Sequence, residues 1–165
     1  MLAKLKSLLS SDDTEQTTEI RPELAAASLM LEVSWADHEL STEELSSVHK
    51  LLTELYGVDA AKAQSLIDDA KERLQTNIGL HPYTSFLNEH LDENGRFEVV
   101  CALWELALAD DHVDKFEEHT IRRVSDLLYL SHSRFIEAKL SANNRPSVII
   151  LTKVSSRVWS EKRTA

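Results

Sequence analysis

The chain has 165 residues, enough for one domain with a real core, and its 42 % hydrophobic fraction is ordinary for a globular protein. Three Gly cannot build a phosphate-cradling loop, and the single Cys101 leaves no intrachain disulfide. A net charge of −10 argues against nucleic acid or anionic lipid as a partner and for cations or a basic protein, or else for an acidic surface that only keeps the chain in solution. The charge is uneven. Arg145, Lys153, Arg157, Lys162 and Arg163 against Glu161 give residues 145–165 a charge of +4 and leave −14 on the rest.

Residues 1–19 form the first region. Met1–Leu9 is a short amphipathic helix with Leu2, Leu5, Leu8 and Leu9 on one side, followed by a polar, acidic linker. It reads as a terminal helix docking on its own body, in preference to a membrane or partner anchor. Lys4 and Lys6 interrupt the pattern expected of a signal peptide, and no stretch approaches the roughly 20 apolar residues that span a bilayer. The expectation is a cytoplasmic protein.

Residues 20–142 form the main domain. Ala, Leu, Glu and Lys dominate, which predicts an all-α chain. Pro22 opens a helix to Ala36, with Leu24, Ala27, Leu31 and Trp35 in one stripe and Met30 and Val33 widening it. After a break at Asp37–Leu40, Ser41 starts a second helix to Tyr56, closed by Gly57. Asp59 caps a third, to Gln75. Gly79-Leu80-His81-Pro82 predicts a turn, Tyr83–Leu91 a short helix, and Asn94-Gly95 its end. Arg96–Ala109 is a buried helix carrying Phe97, Val100, Leu103, Trp104 and Leu108. Asp114–Leu130 and Ser131–Ser141 complete about seven helices. Trp35 and Trp104 read as core anchors. Residues 143–165 are a basic tail, rich in β-branched residues over Val148–Val154, with Trp159 as a candidate exposed contact.

The domain repeats itself. An offset of 73 residues lays Glu32 on Glu105, Ala36 on Ala109, Asp37 on Asp110, Glu44 on Glu117, Leu55 on Leu128 and Tyr56 on Tyr129. Ser41 then faces Asp114. An internal repeat of this kind predicts two related halves. The repeated acids cluster where one helix ends and the next begins.

Two chemistries account for these junctions. Ser41-x-x-Glu44 and Asp114-x-x-Glu117 fit capping boxes, in which each side chain satisfies the other's exposed backbone N–H. Capping leaves Glu32 and Glu105 unexplained, since each sits in an apolar helix and a carboxylate there needs a cation, a proton or a metal. Arg122 and Arg123, or His49 and Lys50, are the candidate partners. The alternative is a divalent-cation site of Asp37, Glu44, Asp110 and Glu117, supported by Glu32, Glu105 and Asp114. Such oxygen donors favour calcium, magnesium or manganese. The junctions match the back half of an EF-hand loop, but Val33 and Trp35, or Leu106 and Leu108, replace its front ligands.

The motifs Ala36-Asp-His-Glu-Leu-Ser-Thr-Glu-Glu44 and Leu103-Trp-Glu-Leu-Ala-Leu-Ala-Asp-Asp-His-Val-Asp-Lys-Phe-Glu-Glu118 resemble the TerB-like family, which includes tellurite-resistance TerB and the N-terminal domain of the DjlA co-chaperones. The resemblance covers Leu24–Ala142. It implies a helical bundle of about seven helices in two pseudo-symmetric halves, acids gathered on one face, metal binding there, and a link to tellurite and stress responses. The family's glycine after the first junction Asp is His38 and Asp111 here, and His38 tolerates the left-handed backbone that glycine provides.

No His-Glu-x-x-His pattern and no Gly-x-Ser-x-Gly elbow occurs, so the expectation is a non-enzymatic accessory protein. It would hold divalent cations or a basic protein partner at the acidic junctions. The alternative is an interaction adaptor whose acids are structural caps and ion pairs.

Overall fold

The computed structural model describes residues 20–109 and 113–144, apart from the side chain of Asp37. Met1–Leu9, the Asp110–His112 step and residues 145–165, with the readings attached to them, lie outside the described residues. Among those described there are seven α-helices, one 3-10 turn and no strand. The helices are α1 (Pro22–Ser34), α2 (Thr42–Tyr56), α3 (Ala60–Gln75), α4 (His81–His90), α5 (Glu93–Leu108), α6 (Lys115–Leu127) and α7 (His132–Asn144), and the 3-10 turn Trp35–Asp37 follows α1.

Two of these helices have apolar residues on every side. In α1, Leu24 through Leu31, Val33 and Ser34 are all buried, and in α5 so are Phe97, Val99 through Trp104, Leu106 and Ala107. A helix with no polar face must sit inside. α1 and α5 pack on each other, and the amphipathic helices wrap them. Each half repeats the same contacts: α1 packs on α3 as α5 packs on α7, and α1 meets α6 as α5 meets α2. The contacts of α1 with α3 and α6 thus have counterparts in those of α5 with α7 and α2. α4 joins the halves and packs on α1 and α6.

The helix starts follow the sequence. Asp59 Oδ1 accepts from Lys62 N at 2.7 Å, and Ser131 Oγ accepts from Arg134 N at 3.2 Å. The middle of the chain differs from expectation. His81-Pro82 is the first turn of α4 and not a preceding turn, because proline is well placed where its missing N–H has no helical partner. Asn94-Gly95 lies inside the first turn of α5, capped by Asp92, whose Oδ1 accepts from Gly95 N at 2.8 Å. A Cβ on Gly95 would stand 3.2 Å from Leu91 Cβ, so glycine permits the short α4–α5 link. The last helix runs to Asn144, three residues past its predicted end at Ser141.

The C-terminus of α6 is held from outside. Arg96 Nη1 donates to Leu128 O at 2.6 Å, and Asn88 Nδ2 donates to Leu127 O at 2.9 Å. The chain then turns through Tyr129, whose φ of 56° is left-handed and whose side chain is 79 % exposed. The corresponding turn after α2 uses Gly57 at φ 61°. A side chain in this conformation costs about 1–2 kcal/mol, against about 0.4–1 kcal/mol for the extra unfolded-state freedom of glycine. Tyr129→Gly should therefore raise the unfolding free energy by about 0.5–1 kcal/mol in a denaturant titration, whereas Gly57→Ala should lower it by about 1 kcal/mol or more.

Candidate functional site at the helix junctions

At the first junction α1 tightens into the 3-10 turn. His38 N donates to Trp35 O at 2.8 Å, and His38 takes φ 67°, ψ 17°. Histidine thus adopts the left-handed conformation expected of glycine there. Its ring meets Trp35 edge-on, with centroids 6.0 Å apart. Leu40 turns back onto the core, as does Leu45 one turn into α2, in the two positions of a hydrophobic staple. Between them the capping box closes: Ser41 N donates to Glu44 Oε2 at 2.7 Å, and Glu44 N donates to Ser41 Oγ at 3.1 Å.

The second junction repeats the device. Ala109 N donates to Leu106 O at 3.3 Å, tightening the end of α5. Val113 packs against the core. Asp114 N donates to Glu117 Oε2 at 3.0 Å, and Asp114 Oδ1 accepts from Phe116 N at 3.0 Å. Three of the predicted site residues, Glu44, Asp114 and Glu117, are thereby accounted for within their own helix starts, Glu44 with Ser41 and Asp114 with Glu117. Asp110 and the side chain of Asp37 lie outside the described residues.

Glu32 and Glu105 do different work. Glu32 is half-buried on α1, and burial raises its carboxyl pKa above the ordinary 4.5 while the charge of Arg123 on α6 draws it partly back. Arg123, one of the partners anticipated for Glu32, thus acts on it through its charge. Arg122 instead pairs with Glu118 at 3.8 Å and lies over the Phe135 ring at 4.5 Å. Glu105 lines a cleft of about 320 Å³ with Lys50, which occupies in α2 the repeat position of Arg123. Lys50 Nζ also stands 3.9 Å from Glu54 Oε1. His49, the other candidate, is turned away, with its Nε2 3.1 Å from Ala60 O.

A hard divalent cation requires several oxygens converging from more than one element. Among the described residues no three Asp, Glu, His or Cys side chains gather as such a group. Glu32, Glu44, Glu105, Asp114 and Glu117 do not form a shell by themselves, so a shell would need the side chains of Asp37 and Asp110. The described donors act as caps and as partners of cations already in the chain.

The tryptophans divide. Trp104 is fully buried, as expected, between Phe135 at 5.4 Å and the Lys139 ammonium at 4.9 Å. Trp35 is not a core anchor: it is 37 % exposed. It lies where α1 passes into the 3-10 turn, at the end of the buried stripe. Phe116, one turn into the second junction, is 62 % exposed. It was not singled out from the sequence, although an aromatic beside a cap in a run of charges was the available signal. Each junction thus carries a solvent-facing aromatic among acids.

A family model described as tellurite resistance protein TerB matches residues 23–140. Neither the curated proteins nor the solved structures give a match. No helix among the described residues is long and apolar enough to cross a membrane.

Two outcomes test this reading of the acids. Glu44→Ala should cost about 1 kcal/mol of stability through the lost cap, while Glu44→Gln, which keeps an acceptor, should cost a fraction of that. For Glu32 the raised native pKa means that the folded chain binds more protons than the unfolded one. Its contribution to stability therefore falls as pH rises from about 4.5 toward the native value, and stays lowered above it. Glu32→Gln should melt above wild type at pH 7, with the gap closing as the pH is lowered toward 4.5.

Proposed function

The chain belongs to the TerB family, and we propose that it is a non-enzymatic accessory module that binds a basic protein partner at its acidic helix junctions. The observation that carries this reading is the exposed Trp35, set beside His38, with Glu39, Glu43 and Glu44 following in the next nine residues of the chain. Half-exposed tryptophans ringed by charge are the residues that dominate protein interfaces. Here the indole supplies apolar contact area, and the surrounding carboxylates select a Lys- or Arg-bearing partner and steer its approach. Phe116 with Glu118 offers the same chemistry at the second junction. A body charge of −14 disfavours nucleic acid as the partner.

A second reading rests on a different observation. His38 holds the glycine-like turn at the first junction, so the backbone geometry that the family places after its first acid is kept. In this reading Asp37 and Asp110, with Glu44 and Glu117, hold calcium, magnesium or manganese, and the family's tellurite link reflects an ion-dependent task. The caps would then serve to fix the carboxylates as well as to start the helices.

One set of proteins separates the two. Affinity capture with wild type, Trp35→Ala and Asp37→Asn/Asp110→Asn is paired with thermal unfolding in chelator and in each ion. The partner reading expects Trp35→Ala to weaken a captured interaction by about 2 kcal/mol, roughly thirtyfold, while its melting temperature stays near that of wild type. It also expects no ion-specific stabilisation. A rise of about 2.7 kcal/mol at a hundredfold excess over the dissociation constant, present in wild type and absent in the double Asn variant, would replace it with the cation reading.

A further inference from the structure

The second cleft-forming region lies away from the exposed aromatics, between α2, α5 and the C-terminal end of α7. Its walls combine Leu51, Leu106 and Ala142 with Lys50, Glu54 and Glu105. At about 320 Å³ it is at the small end of the range for ligand clefts, about 300–1,000 Å³. It suits a few side chains of an extended segment.

The chain itself delivers such a segment. Ala142 and Asn143 line the cleft, and α7 ends at Asn144. Arg145-Pro146 follows, a pair in which the residue before proline is disfavoured in the helical conformation. Next comes Val148-Ile149-Ile150-Leu151, an uninterrupted aliphatic run, then Lys153. Six residues separate Asn143 from Ile149, a reach of up to about 20 Å at about 3.3 Å per residue. Charge is complementary: residues 145–165 carry +4 against −14 on the rest, and two carboxylates stand in the cleft walls. The border is apolar too, since Leu140, one turn before Asn143 on the same side of α7, is 58 % exposed.

We propose that this cleft is the docking site for the chain's own segment 146–154, with the Ile149 and Ile150 side chains seated against Leu51 and Leu106. Lys153 is then placed to meet the carboxylates of α2 and α5. The segment acts as a strap that ties α7 to α2 across α5, on which both helices pack. This inference does not rest on the junction reading and concerns a different surface.

The test uses the full chain. Amide hydrogen exchange of residues 148–152 is measured in wild type and in Ile149→Asp/Ile150→Asp, a variant whose changes lie outside the helical domain. Docking predicts exchange slower than that of an unfolded chain by about tenfold or more, lost in the variant while its helical signal is unchanged. A nitroxide on Lys50→Cys should also broaden the Ile149 and Ile150 methyl resonances, and do so equally after dilution with unlabelled protein. Unfolded-like exchange in wild type would overturn the proposal. So would slow exchange without broadening, which would put the segment elsewhere. Broadening that disappears on dilution would overturn it in favour of a second copy of the chain as the occupant.

Discussion

Everything in this fold depends on the contact between two helices that have no polar face. α1 and α5 each bury nearly every side chain over three or more turns. A fully buried Leu, Ile, Val, Phe or Met contributes on the order of 1.5–3 kcal/mol, and neither helix can obtain that at a surface. The two must therefore sit together at the centre, with the remaining helices as their covering. α3 and α7, the flanking partners, pack mainly through small or single large residues such as Ala63, Ala70, Ala138 and Phe135, which let the helices approach closely.

The junctions follow from that constraint. The chain has to pass from a helix wrapped on all sides to an amphipathic one at the surface within a few residues. At the first junction it does so by tightening the buried helix into a 3-10 turn, reversing through a left-handed residue and restarting under a capping box. The acids of the junction are what such a restart requires. An Asp or Ser at the cap and a Glu three residues on neutralise exposed N–H groups and lie at the positive end of the new helix dipole. Repetition of these acids in both halves is thus a consequence of repeating the same topological problem. Glu32 is the exception, because it is placed one turn inside the buried helix, where burial raises its carboxyl pKa and the charge of Arg123 on α6 draws it partly back.

Much of this was legible in the sequence, and for identifiable reasons. The offset that lays Glu32 on Glu105 also pairs α1 with α5 and α2 with α6, so the two halves could be read before any packing was known. Caps at Ser41, Asp59, Asp114 and Ser131 were readable because their chemistry is local. What depended on three dimensions was not. Trp35 continues the apolar stripe of its helix, yet it lies where α1 passes into the 3-10 turn and is 37 % exposed. Asn94-Gly95 has the composition of a turn, yet Asp92 two residues earlier captures Gly95 N and draws both into α5. The cleft beside Glu105 involves residues from three helices, and nothing in any one of them announces it.

The two halves differ in the charges they exchange. The charge of Arg123 on α6 acts on Glu32, whereas the matching position on α2 is Lys50, which stands beside Glu54 and shares a cleft with Glu105. Arginine presents a rigid, planar fork suited to one buried carboxylate, while lysine is a compact charge on a flexible stem that can be shared among several. The charged cleft beside Lys50 and Glu105 lies at the C-terminal end of α7. Family membership fixes the bundle and its junctions; the surfaces on which this member differs from its own repeat are where its individual role is written.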